Sequence, residues 1–491
     1  MRPSYAALRG PRRAWRLATG LAGLGAVVVA GAVTVPVTTT GCATHQCDGE
    51  NVTFDGGYWV TPTQYVTSDW NEDWIPYPGA INLTVNFPPG GVAPGRGPVA
   101  VHGYVGTGVS PNNGTDFQGG EDWTEASGQL VEYYFLSPTG FTVGNGTCGN
   151  YYARFEVDFA PPGLTVFGGT AADGSTPTDT WTWNGSAWTS QGPMDPRLGP
   201  EERTGASMVS LGGMTYVFAG LDPTGLPGGP GQPRGTTYLG DMWSFDGSSW
   251  SQIFFTPTAA GQPWPAGRVD ATTVALGKEI VVFGGHGEDG TQPAPYPIID
   301  ISDTWTWDGN PLDPWSLLSI SGPSGRSGAA AAVTGSTMVL FGGTAGGSAL
   351  GDTWTFDGNA WTQVAAPSGS GAAPAPSARF HAAAAGVTDP ATGNAEVLLF
   401  GGDTGTTKLG DTWLWDGTKW TQATYATSPA ARAQASIGVL NGTVVLFGGV
   451  DANGKTLGDT WTWTSLGGWL QSKPSTSAVP APRYGAAASG P

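Results

Sequence analysis

The chain of 491 residues is poor in charge, cysteine, histidine and methionine, and each shortage excludes something. Only 12% of residues are charged, and 38 acidic side chains outweigh 20 basic ones. A net charge of −18 makes the molecule as a whole a poor partner for nucleic acid. The Glu/Lys/Leu runs that build helices and coiled coils are almost absent, so helical enzymes are excluded. No Gly-x-Ser-x-Gly elbow, phosphate loop or His-Glu-x-x-His is present. With four His and three Cys, metal-ligating constellations are scarce. What is abundant is glycine (80), proline (40) and tryptophan (22). So much Gly and Pro approaches the composition of disordered chains, but 11% aromatics argue for a packed core. Many short strands joined by turns, an all-β chain, is the fold class that fits.

The N-terminus reads as an address. Arg2, Arg9, Arg12, Arg13 and Arg16 precede an apolar run from Leu17 to Val37, the layout of an export signal over residues 1–41. Arg12-Arg13-Ala14-Trp15-Arg16-Leu17 looks like a twin-arginine signal, with Trp where Phe is usual. Thr39-Thr40-Gly41-Cys42 resembles a bacterial lipobox, with Thr39 where Leu is usual, and implies lipidation and cleavage at Cys42. An ordinary cleaved signal or an uncleaved anchor is the other reading. Cys47 and Cys148 then remain as a pair for a disulfide in an oxidising compartment. The mature chain is expected in the cell envelope or secreted, touching membrane only through a lipid anchor at Cys42.

Residues 42–160 are expected to form a small β-sandwich. Ile81, Leu83, Val85 and Phe87 alternate with polar residues, as do Val131, Tyr133 and Phe135, and Tyr151 to Phe159. Val99–Tyr104 and Tyr58–Thr67 are further candidate strands. Between residues 48 and 160 there are 13 acidic side chains against Arg96 and Arg154. Asp69, Glu72 and Asp73, and Asp116, Glu121 and Asp122, are solvated loops or a calcium site. Trp59, Trp70, Trp74 and Trp123 are core residues or a sugar platform.

From residue 161 a pattern returns with a mean period of about 56 residues, Phe167 to Phe447 in five steps. Phe-Gly-Gly begins at Phe167, Phe283, Phe341, Phe400 and Phe447, and Phe218-Ala219-Gly220 is the variant. Asp-[Thr/Met]-Trp opens at Asp179, Asp241, Asp303, Asp352, Asp411 and Asp459. A later Trp follows at 188, 250, 315, 361, 420 and 469. Arg followed by small residues recurs at Arg203, Arg268, Arg326, Arg379, Arg432 and Arg483. Four strands per repeat fit these landmarks. Sixteen of the 22 Trp occupy repeat positions, so Trp is scaffold first.

These residues resemble the kelch repeat, with its double Gly, spaced aromatic and later Trp. The resemblance covers residues 161–491 and implies a six-bladed kelch-type β-propeller. The chain ends eight residues past Arg483, where residue 161 resumes the pattern. Residues 483–489 are therefore expected to supply the innermost strand of the first blade and close the ring. Kelch propellers include copper radical oxidases resembling galactose oxidase, which need a Tyr–Cys cross-link. The propeller region has no Cys and, of the four His, only His286 and His381, so that chemistry is excluded. His45 and His102 lie upstream of it.

No catalytic residue, metal site or cofactor is assigned. The function expected is that of a cell-envelope interaction protein presenting a propeller face to a protein or an anionic glycan. A carbohydrate-active enzyme of the sugar isomerase or lyase type, using the channel mouth, is the alternative. The candidate ligand-binding residues are Arg203, Arg268, Arg326, Arg379, Arg432 and Arg483, which symmetry places on a ring near one mouth. In some kelch proteins the equivalent Arg binds acidic peptides, and Arg326-Ser327-Gly328-Ala329 looks most like that motif. The competing reading pairs each Arg with a repeat Asp and makes it a staple between landmarks.

Overall fold

The computed structural model describes strands between Glu50 and Phe159 and, several short loops apart, residues 163–491. The signal, Cys42, Cys47, Cys148 and the two acidic loop clusters lie outside the described residues. The chain divides into two compact units at Ala160/Pro161.

Among the described residues the first unit forms two sheets. Ile81–Asn86 is flanked by Glu50–Phe54, in parallel, and by Gly140–Asn145, which pairs onward with Glu132–Ser137. Tyr151–Phe159 is the hub of the other, pairing with Gln64–Val66, Ile75–Tyr77 and Pro98–Gly106. Phe54, Leu83 and Val85 are buried in the first sheet, Ile75 and Phe155 in the second. The stretch 58–67, read from sequence as one strand, is two, Tyr58–Thr61 and Gln64–Val66, in a hairpin. Pro62 stands between them, and proline cannot donate to a ladder.

The second unit contains six four-stranded antiparallel sheets among the described residues. The fourth blade shows the plan: Ala330–Thr334, Thr337–Phe341, Thr353–Phe356 and Trp361–Gln363, from the axis outward. Met338, Val339, Leu340 and Phe341 are all buried, as a strand covered on both faces requires. Met338 and Leu340 pack with Phe283 of the third blade under Trp361, while Val339 and Phe341 pack with Leu399 and Trp413 of the fifth. Each blade therefore buries both faces against its neighbours. The first blade takes its innermost strand from the far end of the chain: Ala487–Ser489 pairs with Thr165–Phe167. The six innermost strands, Ser207–Leu211, Thr272–Leu276, Ala330–Thr334, Ala383–Thr388, Ser436–Leu440 and Ala487–Ser489, neighbour one another in a closed cycle. The sheets are thereby wrapped into a ring whose short inner edges face one another around the axis.

Candidate functional site: the channel mouth

The repeat landmarks converge on one hydrogen-bond network, built six times. The six repeat Arg are almost completely buried. Each guanidinium donates to both carboxylate oxygens of the Asp in its own blade: Arg203 to Asp241, Arg268 to Asp303, Arg326 to Asp352, Arg379 to Asp411, Arg432 to Asp459 and Arg483 to Asp179. In the fourth blade these bonds are 2.6 and 2.9 Å. A further N–H of the same guanidinium reaches the carbonyl of the first small residue after the repeat Phe, such as Gly342. The Asp is held in turn by the indole N–H two residues on, Trp354 to Asp352 at 2.7 Å, and the same bond recurs in all six blades. That explains Asp-x-Trp as a motif: one-residue alternation puts both side chains on the same sheet face.

Arg326 and Arg379 spend all five N–H donors inside the protein, with Ser324 and Ser377 completing the set. This is the stapling arrangement. A ligand anion at these guanidinium groups would have to displace an Asp carboxylate that already satisfies them bidentately.

Burial alone raises the pKa of Asp179, Asp241, Asp352, Asp411 and Asp459, but the paired guanidinium and the indole N–H outweigh it and hold these carboxyls below their ordinary value. A carboxyl whose pKa falls on folding stabilises the fold above its unfolded value, 3.8, and that stability is lost as pH falls through the lowered folded value. The propeller is therefore expected to keep its melting temperature down to about pH 4 and to lose it steeply below. Thermal unfolding followed between pH 2 and 6 checks this, and a midpoint insensitive to pH below 3.8 would count against the pairing.

A second set of bonds joins neighbouring blades. The outer-strand Trp of one blade donates its indole N–H to the Asp-Thr-Trp threonine of the preceding one: Trp188 to Thr460, Trp250 to Thr180, Trp361 to Thr304, Trp420 to Thr353 and Trp469 to Thr412. The second blade carries Met242 in place of that Thr, and Trp315 of the third, buried, has no acceptor for its indole N–H among the described residues. Thr353→Val should leave Trp420 in the same condition, at a cost of about 1–3 kcal/mol in a denaturant titration.

Two residues after each repeat Arg, the backbone turns left-handed. Gly205, Asp270, Gly328, His381, Gln434 and Gly485 have φ between 53° and 64°. Each donates its N–H to the carbonyl of the equivalent residue in the preceding blade: Gly205 to Gly485, Asp270 to Gly205, Gly328 to Asp270, His381 to Gly328, Gln434 to His381 and Gly485 to Gln434, at 2.7–3.0 Å. The six bonds close on themselves around the end of the channel where the innermost strands begin. Glycine adopts this conformation freely, whereas a residue with a Cβ pays roughly 1–2 kcal/mol. Three of the six positions nevertheless carry polar, partly exposed side chains.

Two of these side chains meet. Nε2 of His381 lies 3.0 Å from Oδ2 of Asp270, reaching over Gly328 of the intervening blade. A Cβ on Gly328 would collide with the imidazole, so Gly at this ring position makes room for the pair. Burial opposes the imidazolium form, but Asp270, and Asp403 beyond it, raise the His381 pKa, with Lys408 acting weakly the other way. Lys408 is itself ion-paired to Asp403, whose backbone bridges Phe380. His286 is half-exposed, with Nδ1 3.0 Å from Oδ1 of Asp300. Among the described residues no cluster of three or more His, Cys, Asp and Glu is arranged to hold a metal ion.

Sequence reasoning missed Asp270 and Gln434 and gave His381 no role. The signal was present: the third residue of the Arg-x-x-Ala unit is Gly in three repeats and Asp, His or Gln in the others.

This architecture defines an all-β propeller of six four-stranded blades with an internally stapled Arg–Asp–Trp repeat. A family model described as the KLHDC2/KLHL20/DRC7 kelch-repeats domain matches residues 250–391. An F-box/kelch-repeat protein of Arabidopsis thaliana is 26% identical over 216 residues, 42% of this chain and 42% of that one. Tip elongation aberrant protein 1 of Schizosaccharomyces pombe is 27% identical over 203 residues, 39% of this chain and 16% of its own length. The matches thus span less than half the length of either relative. The chain carries kelch repeats, and repeats of this kind generally serve protein interaction.

Proposed function

We propose that this is an exported interaction protein of the cell envelope, lipid-anchored at Cys42, whose propeller takes a polypeptide partner at the channel mouth ringed by Asp270, His381 and Gln434. The observation that carries this reading is the strain at the ring. Glycine at all six positions would satisfy the backbone at lower cost, so the side chains there serve something beyond the backbone turn itself. Thr204, Val269, Phe380 and Tyr484, partly exposed beside the ring, add apolar and aromatic surface of the kind that anchors peptides. The basic leader and the Cys42 context support export and anchoring. An anionic glycan ligand loses its main support with the Arg engaged internally, and the ring offers a partner one carboxylate, one imidazole and one amide instead.

The test is a polypeptide and carbohydrate array probed with the mature chain, with and without EDTA. Saturable binding to peptides without turnover is the expected result. Turnover of a bound sugar would favour the enzyme reading, and binding confined to uronic-acid glycans would restore the anion site.

A further inference from the structure

Around the ring, Asp270 leads the third blade and His381 the fifth, and their side chains join over the fourth. Every other side-chain staple identified above works within one blade or between adjacent ones. Only this one skips a blade. Its cation is an imidazole, a group that changes charge near neutral pH. Its construction is specific: both partners sit at positive φ, and Gly328 leaves the space the ring crosses.

We infer that Asp270 and His381 form a pH-sensitive latch across the channel mouth, held as an ion pair while His381 carries its second proton and weakened to a hydrogen bond from a neutral imidazole when it loses it. The inference stands whatever the mouth binds.

The charged groups facing His381 are accounted for. Asp270 comes from the third blade, and Asp403 and Lys408 from the hairpin of its own blade. Gly328 of the fourth blade and Gln434 of the sixth, its two neighbours in the ring, bring no charge. Two carboxylates against one ammonium leave the pocket net negative, which favours the imidazolium. Because the pairing raises the pKa of His381 in the fold, its contribution to stability is complete below the ordinary histidine value, 6.5. It is lost as pH rises through the higher folded value. Loss of the charge loosens the hold between the Asp270 carboxylate and the imidazole, so the surface the mouth offers a partner changes with the acidity outside the cell.

The test uses the chain with its four His, titrated by NMR through their imidazole protons between pH 5 and 9. The His381 resonance, assigned by its loss in His381→Gln, should titrate with a midpoint above 6.5, and Asp270→Asn should lower that midpoint. In parallel, the wild-type melting temperature should fall by ~1–3 °C between pH 6 and 8.5. That slope should vanish in His381→Gln and persist in His286→Gln, which leaves the latch intact. A wild-type His381 midpoint at or below 6.5 overturns the latch, and so does an equal pH slope in His381→Gln. The midpoint in the unaltered chain decides the matter even if the Asp270 variant does not fold.

Discussion

Arg203→Met is expected to destabilise the propeller by about 3–5 kcal/mol, because it leaves the Asp241 carboxylate with no countercharge in a buried site. This pair is the most enclosed of the six: the Arg203 side chain is 0% exposed and that of Asp241 10%. The remaining Trp243 indole N–H supplies one hydrogen bond to Asp241 but no charge. Asp241 would then take up a proton far more readily, and the acid unfolding of the variant should begin at higher pH. Adding Asp241→Leu should recover a large part of the loss, since an apolar pair of similar volume costs no ion desolvation. Denaturant midpoints of the two variants check this. Equal stability of Arg203→Met and wild type would show that the pair contributes nothing.

Deleting residues 483–491 should have the larger effect still. It removes Arg483, whose loss alone is expected to cost about 3–5 kcal/mol at Asp179. It also removes the strand Ala487–Ser489, which pairs with Thr165–Phe167 and lies between the inner strands of the second and sixth blades. The hydrogen-bonded ring at the mouth would lose Gly485 and become an open chain of four bonds. The strand Leu164–Phe167 would present an uncovered edge, and edges of this kind pair with other copies. The truncated chain should lose its cooperative thermal transition and associate, seen by calorimetry and light scattering. A monomer with an unchanged transition would refute closure of the ring by the C-terminus.

Much of the architecture could be read from the sequence because each landmark does one job six times. The buried second strand announces itself as an apolar run such as Met338–Phe341, and Phe-Gly-Gly marks its exit. The all-β class and the kelch repeat follow from such repetition. Spacing alone says which residues are equivalent, however, and not which groups touch. Arg326 and Asp352 are 26 residues apart in sequence, and only the folded blade shows that the guanidinium faces inward. For that reason the pattern is compatible both with an exposed ring of cations and with a set of internal staples.

The mouth was hidden for a different reason. Asp270 and His381 are 111 residues apart, and neither belongs to a motif of its own. Their common feature is a left-handed backbone, which a sequence reveals only when glycine marks it. Here Gly marks three of the six positions, and the polar side chains at the others obscure the equivalence. Blade two hides a similar exception, since Met242 in the Asp-Met-Trp variant looks conservative until Trp315 is seen without an acceptor among the described residues.

The measurement that tests the account most directly is binding of the peptides recovered from the array to a triple variant, Asp270→Gly, His381→Gly and Gln434→Gly. Glycine is what the other three ring positions already carry, and it relieves the left-handed strain at each altered site. The variant is therefore expected to fold with its ring intact, and to lose peptide affinity by at least about tenfold, equivalent to ~1.4 kcal/mol. A folded variant that binds those peptides as tightly as the unaltered chain would contradict the assignment of the channel mouth as the partner site.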